Sequence, residues 1–185
     1  MGIIFEHENR RKAVSDVASM MMTAARTAPK GRGADNLVIA VADRDEIKLI
    51  CDKMIELVEK QGASDFFLRD AENILKADAL FLIGTRIKSL GLAYCGLCGH
   101  ANCTERERAA PDHPCVYNTH DLGIAVGSAV SVAADCRVDN RIMYSVGMAV
   151  RELGLLGEGV RIIFGIPLSA TAKNPFFDRA VPPKK

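Results

Sequence analysis

Apolar positions along the chain fall into two rhythms. From Glu6 to Arg26 they recur as Val14, Val17, Ala18, Met21 and Ala25, a spacing of three and four that builds one helical face. Pro29 ends that element, and Lys30-Gly31-Arg32-Gly33 reads as a loop. Asn36 to Ala42 is then a continuous apolar run, the mark of a buried strand. A helix from about Glu46 to Lys60 follows. Asp43 or Asp45 caps it, Ile47, Ile50, Met54, Leu57 and Val58 stripe it, and Gly62 closes it. A further helix, Phe67 to Lys76, leads into a second buried strand, Ala79 to Gly84. Beyond a long irregular stretch, Asp121 to Val130 reads as a helix start capped by Asp121. Asn140 to Leu153 reads as a helix, and Val160 to Ile166 as a third strand stopped by Pro167. This alternation predicts an α+β layered fold, one domain over residues 1–185.

Residues 91–118 break both rhythms. They hold four of the six cysteines and two of the four histidines, with His120 just beyond and Glu105 to Ala110 as a helical turn. Burial alone would not organise such a stretch, so it reads as an inserted cysteine-rich module held by a metal centre. The pattern is Cys95-x2-Cys98-x4-Cys103-x11-Cys115. A CxxC pair reaches one centre from a tight turn, and Gly96 and Gly99 relieve the crowding there. Four thiolates suit a tetrahedral zinc site or a [4Fe–4S] cluster. Ligand chemistry does not choose between them, and reduced free thiols are the third reading. His100, His113 or His120 could replace one thiolate, or serve as neighbouring donors or surface residues. Cys51 and Cys136 fall in predicted helices and read as small buried apolar side chains.

Charge narrows the function classes. Lys plus Arg number 24 against 23 Asp plus Glu, with no long one-sign block, which argues against a nucleic-acid binder. The long apolar stretch Leu122 to Ala134 is too short to span a bilayer, and Met1 to Glu6 turns charged too early for a secretory signal. A cytoplasmic protein is therefore expected, in which six cysteines do not imply three disulfides. No GxGxxG follows a strand and no P-loop occurs, so neither a Rossmann site nor a nucleotide triphosphate site is indicated.

Two resemblances add to this reading. Tyr94-Cys95-Gly96-Leu97-Cys98-Gly99-His100-Ala101-Asn102-Cys103 looks like the CGxCGxxxC signature of small iron–sulfur domains in anaerobic redox proteins. Taken with Asp121 to Ala129 and Val138 to Gly147, the chain closely resembles DUF2148, a family described as ferredoxin domain-containing. That resemblance implies a [4Fe–4S] cluster on Cys95, Cys98, Cys103 and Cys115, with zinc as the alternative. Ala24-Ala25-Arg26-Thr27-Ala28-Pro29-Lys30-Gly31, followed by Asn36 and a buried strand, is similar to the early segment of FMN-dependent nitroreductases. Lys30 stands where their loop has serine. Gly165-Ile166-Pro167 with Lys173 and Arg179 is similar to their C-terminal part. This second resemblance implies an antiparallel or mixed sheet flanked by helices, a homodimer, and FMN at the subunit interface.

A flavin phosphate needs cations and backbone donors. Arg10, Arg11, Arg26, Lys30, Arg32, Lys173 and Arg179 are candidates, with Gly31 and Gly33 allowing close backbone approach and Asn36 beside them. The same Lys-Gly-Arg-Gly loop also reads as a solvated turn. Arg141 is a further flavin contact or a structural pairing residue. The expectation is a redox or electron-transfer protein with a [4Fe–4S] cluster and FMN, working with a redox protein partner. The alternatives are a zinc- or cluster-stabilised interaction module and an iron–sulfur sensor or assembly accessory. No general base is identifiable, so whether the chain is an enzyme stays open at this stage.

Overall fold

The first two apolar runs lie side by side as antiparallel partners in a four-stranded sheet, the first at its edge and the second inside it. A computed structural model describes residues 2–177. Its elements are α1 (Glu6–Thr27), β1 (Leu37–Ala42), α2 (Arg44–Gln61), α3 (Phe66–Leu75), β2 (Ala79–Arg86), α4 (Cys103–Ala109), α5 (Val116–Asp135), β3 (Asp139–Asn140), α6 (Tyr144–Glu152) and β4 (Val160–Ser169). The strand order is β1-β2-β4-β3, antiparallel throughout.

The sheet is buried on both faces, which is why β2 is apolar without alternation. Ala79, Phe81 and Ile83 face α1 and α5, where Met21, Ala25, Leu122, Ala125 and Ala129 complete one core. Leu80 and Leu82 face the other way, against α2, α3 and α6, with Ile50, Met54, Phe67, Ile74 and Val150. The helices obey their sequence signals. Asp43 accepts from the amides of Asp45 and Glu46 to cap α2, and Gly62 closes it at a left-handed φ of 72°.

Pro167 does not stop the third strand. β4 continues to Ser169, with Pro167 opposite Leu80 of β2. On its other side β4 pairs Ser169 with Asp139 and Gly165 with Met143. Pro167 falls between those pairs, opposite Arg141, so its missing N–H faces a gap in the ladder. Asn140 accordingly belongs to β3, and α6 starts at Tyr144 rather than at Asn140.

The expected α+β architecture, a sheet flanked by helices, stands, but among the described residues the expected metal-binding insertion does not. Residues 88–115 form an excursion between β2 and α5 that includes α4, and side-chain hydrogen bonds described below organise it. Among the described residues, no helix is long and apolar enough to cross a membrane.

Candidate functional site

The end of α1 carries the densest set of predicted site residues. Carbonyls in a helix's last turn lack intrahelical donors, and Lys30 folds back to supply them. Its Nζ donates to the carbonyls of Ala25 (3.3 Å), Arg26 (2.7 Å) and Ala28 (2.8 Å). Gly31–Gly33 then forms a single 3₁₀ turn. The Gly31 amide donates to both carboxylate oxygens of Asp121, at 3.1 and 3.2 Å. A Cβ at Gly31 would meet Leu90 at 2.9 Å and Tyr117 at 3.1 Å, so a larger residue there would push the Leu90 side chain aside. Gly33 differs: its φ is +68° and nothing lies within 4 Å of where a Cβ would point. The backbone there is open to an approaching flat group.

Arg26 and Asp35 pair at 2.6 Å across this loop, and Arg26 also donates to the Leu37 carbonyl at 3.3 Å. Partial burial pushes the Asp35 carboxyl up. The Arg26 hydrogen bond, the Leu37 amide and the Lys30 charge outweigh it, and the group titrates below the usual aspartate range. Alongside runs a shallow cleft of about 290 Å³ lined by Met22, Thr23, Arg26, Thr27 and Ile39. Asn36 sits at the start of β1, its carbonyl accepting from the Arg86 amide at 3.0 Å.

The other predicted cations lie elsewhere. Arg10 is sixteen residues before Arg26 on the same helix, about 24 Å away at 1.5 Å per residue. It pairs with Glu6 at 2.6 Å. Arg141 donates to the Phe176 carbonyl at 2.9 Å and stacks over the Phe177 ring. Lys173 lies in the turn after β4, where its carbonyl accepts from Thr171. Arg179 lies outside the described residues. One phosphate therefore cannot touch both the Arg10 end and the Arg26–Arg32 end of a single chain.

The four clustered cysteines do not build a metal centre. Among the described residues, no group of three or more His, Cys, Asp or Glu side chains is placed to hold a metal ion. This overturns the expected [4Fe–4S] cluster, the zinc alternative, and the electron-transfer, interaction-module and sensor readings that depended on them. The stretch does not need a metal to organise it. A buried guanidinium does so instead. Arg106, on α4, donates to the Ser89 hydroxyl (2.9 and 3.1 Å) and to the carbonyls of His113 and Pro111. Asn118 supports the root of the excursion, accepting from the Lys88 amide (3.1 Å) and the Cys115 amide (3.2 Å) and donating to the Lys88 carbonyl (3.0 Å). Cys115 is buried at the start of α5, whereas Cys95, Cys98 and Cys103 are partly exposed. The His100 and His113 rings meet each other at 3.1 Å. Cys51 is buried as expected, and burial together with Asp52 and Glu72 raises its thiol above the ordinary range. Cys136 is exposed at the end of α5, against expectation.

Asp121 was expected as a helix cap, but α5 starts earlier, at Val116, and carries Asp121 inside it as a buried acceptor for the Gly31 amide. The signal was present in the sequence: a lone carboxylate followed by thirteen uncharged residues, Leu122 to Ala134. Arg106 and Asn118 gave no comparable signal.

Residues 112–179 match the family described as "Uncharacterized protein containing a ferredoxin domain (DUF2148)". That span includes Cys115 but not Cys95, Cys98 or Cys103. A protein of Archaeoglobus fulgidus is 39% identical over 191 residues, covering 99% of this chain and 100% of its own. Among solved structures, nitroreductase CinD from Lactococcus lactis in complex with nicotinic acid is similar with a TM-score of 0.58 at 15% identity, covering 86% of this chain and 79% of its own. A nitroreductase with bound FMN from Desulfitobacterium hafniense is similar with a TM-score of 0.57 at 16% identity, over 90% of this chain and 82% of its own. A BluB-like flavoprotein from Clostridium difficile 630 gives 0.53 at 21% identity, over 92% and 84%. The near-full-length relative and the matched family span together establish that this chain belongs to the DUF2148 family, built on a nitroreductase-like fold.

Proposed function

We propose that the protein is a flavin-dependent oxidoreductase that binds FMN at the end of α1 and works as a homodimer. The observation that carries this reading is the Pro29–Gly33 turn, with its open backbone at Gly33 and the Arg26 and Arg32 guanidiniums, on a fold similar to that of a nitroreductase with bound FMN. Arg26 and Arg32 are the cations for the phosphate, and Gly33 admits the flavin ring. Lys30 shapes the turn by capping α1 rather than reaching the ligand. When bound, FMN supplies conversion between one- and two-electron chemistry, and the protein supplies binding and orientation.

Size and distance support a second protomer. The cleft beside Arg26, about 290 Å³, lies at the lower edge of the range of roughly 300–1,000 Å³ for ligand sites and is walled by one side of the chain. The distant cations Arg10, Arg141 and Lys173 join the Arg26 end only if another copy brings them there. The outward face of α5 suits such a contact, with Gly123, Ile124, Gly127 and Ser131 exposed and uncharged. Six free cysteines fit a reducing compartment, and the cytoplasm is our assignment.

Fluorescence titration tests the ligand. FMN should be quenched on binding and should bind at least about tenfold tighter than riboflavin, which lacks the phosphate, with the preference shrinking as salt rises. Equal affinity for the two, or no quenching, would overturn the reading.

A further inference from the structure

Arg32 occupies a left-handed conformation, φ 53° and ψ 17°. A non-glycine residue there is strained and needs compensation from its surroundings. Its two neighbours in the turn are glycines, yet the strained position holds an arginine. The compensation is visible. The Arg32 guanidinium crosses to the excursion and donates to the carbonyls of Leu90 (3.3 Å) and Gly91 (3.2 Å). Leu90 packs under Gly31, with Tyr117 beside it. The excursion therefore touches the turn through its first residues, while Asn118 pins its root at Lys88.

Both acceptors are neutral carbonyls, and both bonds are longer than the usual 2.9–3.0 Å or so for N–H···O. A guanidinium so placed gains more from an anionic oxygen, because charge-assisted bonds are about twice as strong. We propose that Arg32 is a latch holding the 88–102 segment against the Gly31–Gly33 turn, and that a phosphate-bearing ligand at the turn draws Arg32 away and frees that segment. The latch stands on the geometry alone. Its response to FMN rests on the function proposed above and names the regulation of that site. The segment so released carries Tyr94 and Leu97, which are 97% and 69% exposed, so unlatching alters access to the turn and the presentation of these side chains together.

Hydrogen exchange on the full chain tests both halves. Arg32→Gly removes the guanidinium and suits the positive φ, so the variant folds without new strain. It should exchange about five- to tenfold faster than wild type across 88–102 and at 30–34, with α6 and β4 unchanged. Arg32→Lys should lie between them. Unchanged exchange over 88–102 in Arg32→Gly would overturn the latch. In wild type, saturating FMN should speed exchange over 88–102, and in Arg32→Gly, at a concentration that saturates the variant by fluorescence, FMN should add nothing. FMN that binds by fluorescence yet leaves the segment unchanged or slower would overturn the ligand response while the flavin reading stands. Absence of FMN binding would overturn the flavin reading and the ligand response, leaving the latch to be judged by Arg32→Gly alone.

Discussion

Asp121 and Gly31 are 90 residues apart in sequence, yet both oxygens of the one accept the amide of the other, at 3.1 and 3.2 Å. This contact ties the turn at the end of α1 to α5. Asp121→Ala would leave a part-buried amide without its acceptor and should cost about 1–3 kcal/mol. Asp121→Asn keeps an oxygen in place and should cost less. Urea unfolding of the three proteins checks the ranking, and equal stability would show that the contact contributes nothing.

Arg106 and the chelator experiment separate two accounts of the excursion. Arg106→Met removes the donors to Ser89, His113 and Pro111 while keeping an unbranched apolar stem. Limited proteolysis should then cut within 88–115 at least about tenfold faster, consistent with loss of a few kcal/mol of local stability. A strong chelator should leave the wild-type cutting rate unchanged. Faster cutting in chelator, with no effect of Arg106→Met, would restore a metal as the organiser.

The helix α6 lies against β4 at the distance that Gly147 permits. A Cβ at Gly147 would stand 1.8 Å from the Ile163 carbonyl oxygen, and one at Gly165 would stand 2.2 Å from Val146. Backbone cannot yield as a flexible side chain can, so Gly147→Ala should destabilise by about 3 kcal/mol or more. Thermal unfolding measures it. Gly2→Ala, outside every element and with nothing within 4 Å, is the control and should be neutral.

Asp35 makes stability depend on pH in a defined direction. Its folded-state carboxyl titrates below the unfolded one, despite burial, because Arg26, the Leu37 amide and Lys30 favour the anion. Its contribution is therefore present above the ordinary aspartate value and is lost as pH falls through the lower, folded one. The pair is partly exposed and solvent-screened, so the effect is small, about 0.5–1 kcal/mol. Asp35→Asn should be less stable than wild type near neutral pH, about pH 7, and the two should converge in acid well below about pH 3.9. A gap that persists in acid would contradict the assignment.

Much of this architecture was legible because burial writes itself into spacing. The α1 face from Val14 to Ala25 and the strands at β1 and β2 followed directly from apolar periodicity. Pro167 misled because its missing donor matters only if a neighbouring strand needs it, and the ladder is interrupted opposite Arg141. Cys95, Cys98, Cys103 and Cys115 misled for a related reason. Their spacing speaks of metal, while the order of the segment comes from Arg106 and Asn118, whose partners are mostly backbone carbonyls and amides that no side-chain pattern records. The helical reading of Glu6 to Arg26 already separates Arg10 from Arg26, whereas the partners of Lys30 and Arg32 are backbone carbonyls that leave no pattern in the sequence.

Sedimentation velocity followed at the flavin's visible absorbance tests the central claim most directly. The account predicts that FMN travels with a species of twice the chain mass, one FMN per chain. FMN left behind at the sedimentation rate of the free molecule, or carried by a single chain, would contradict it.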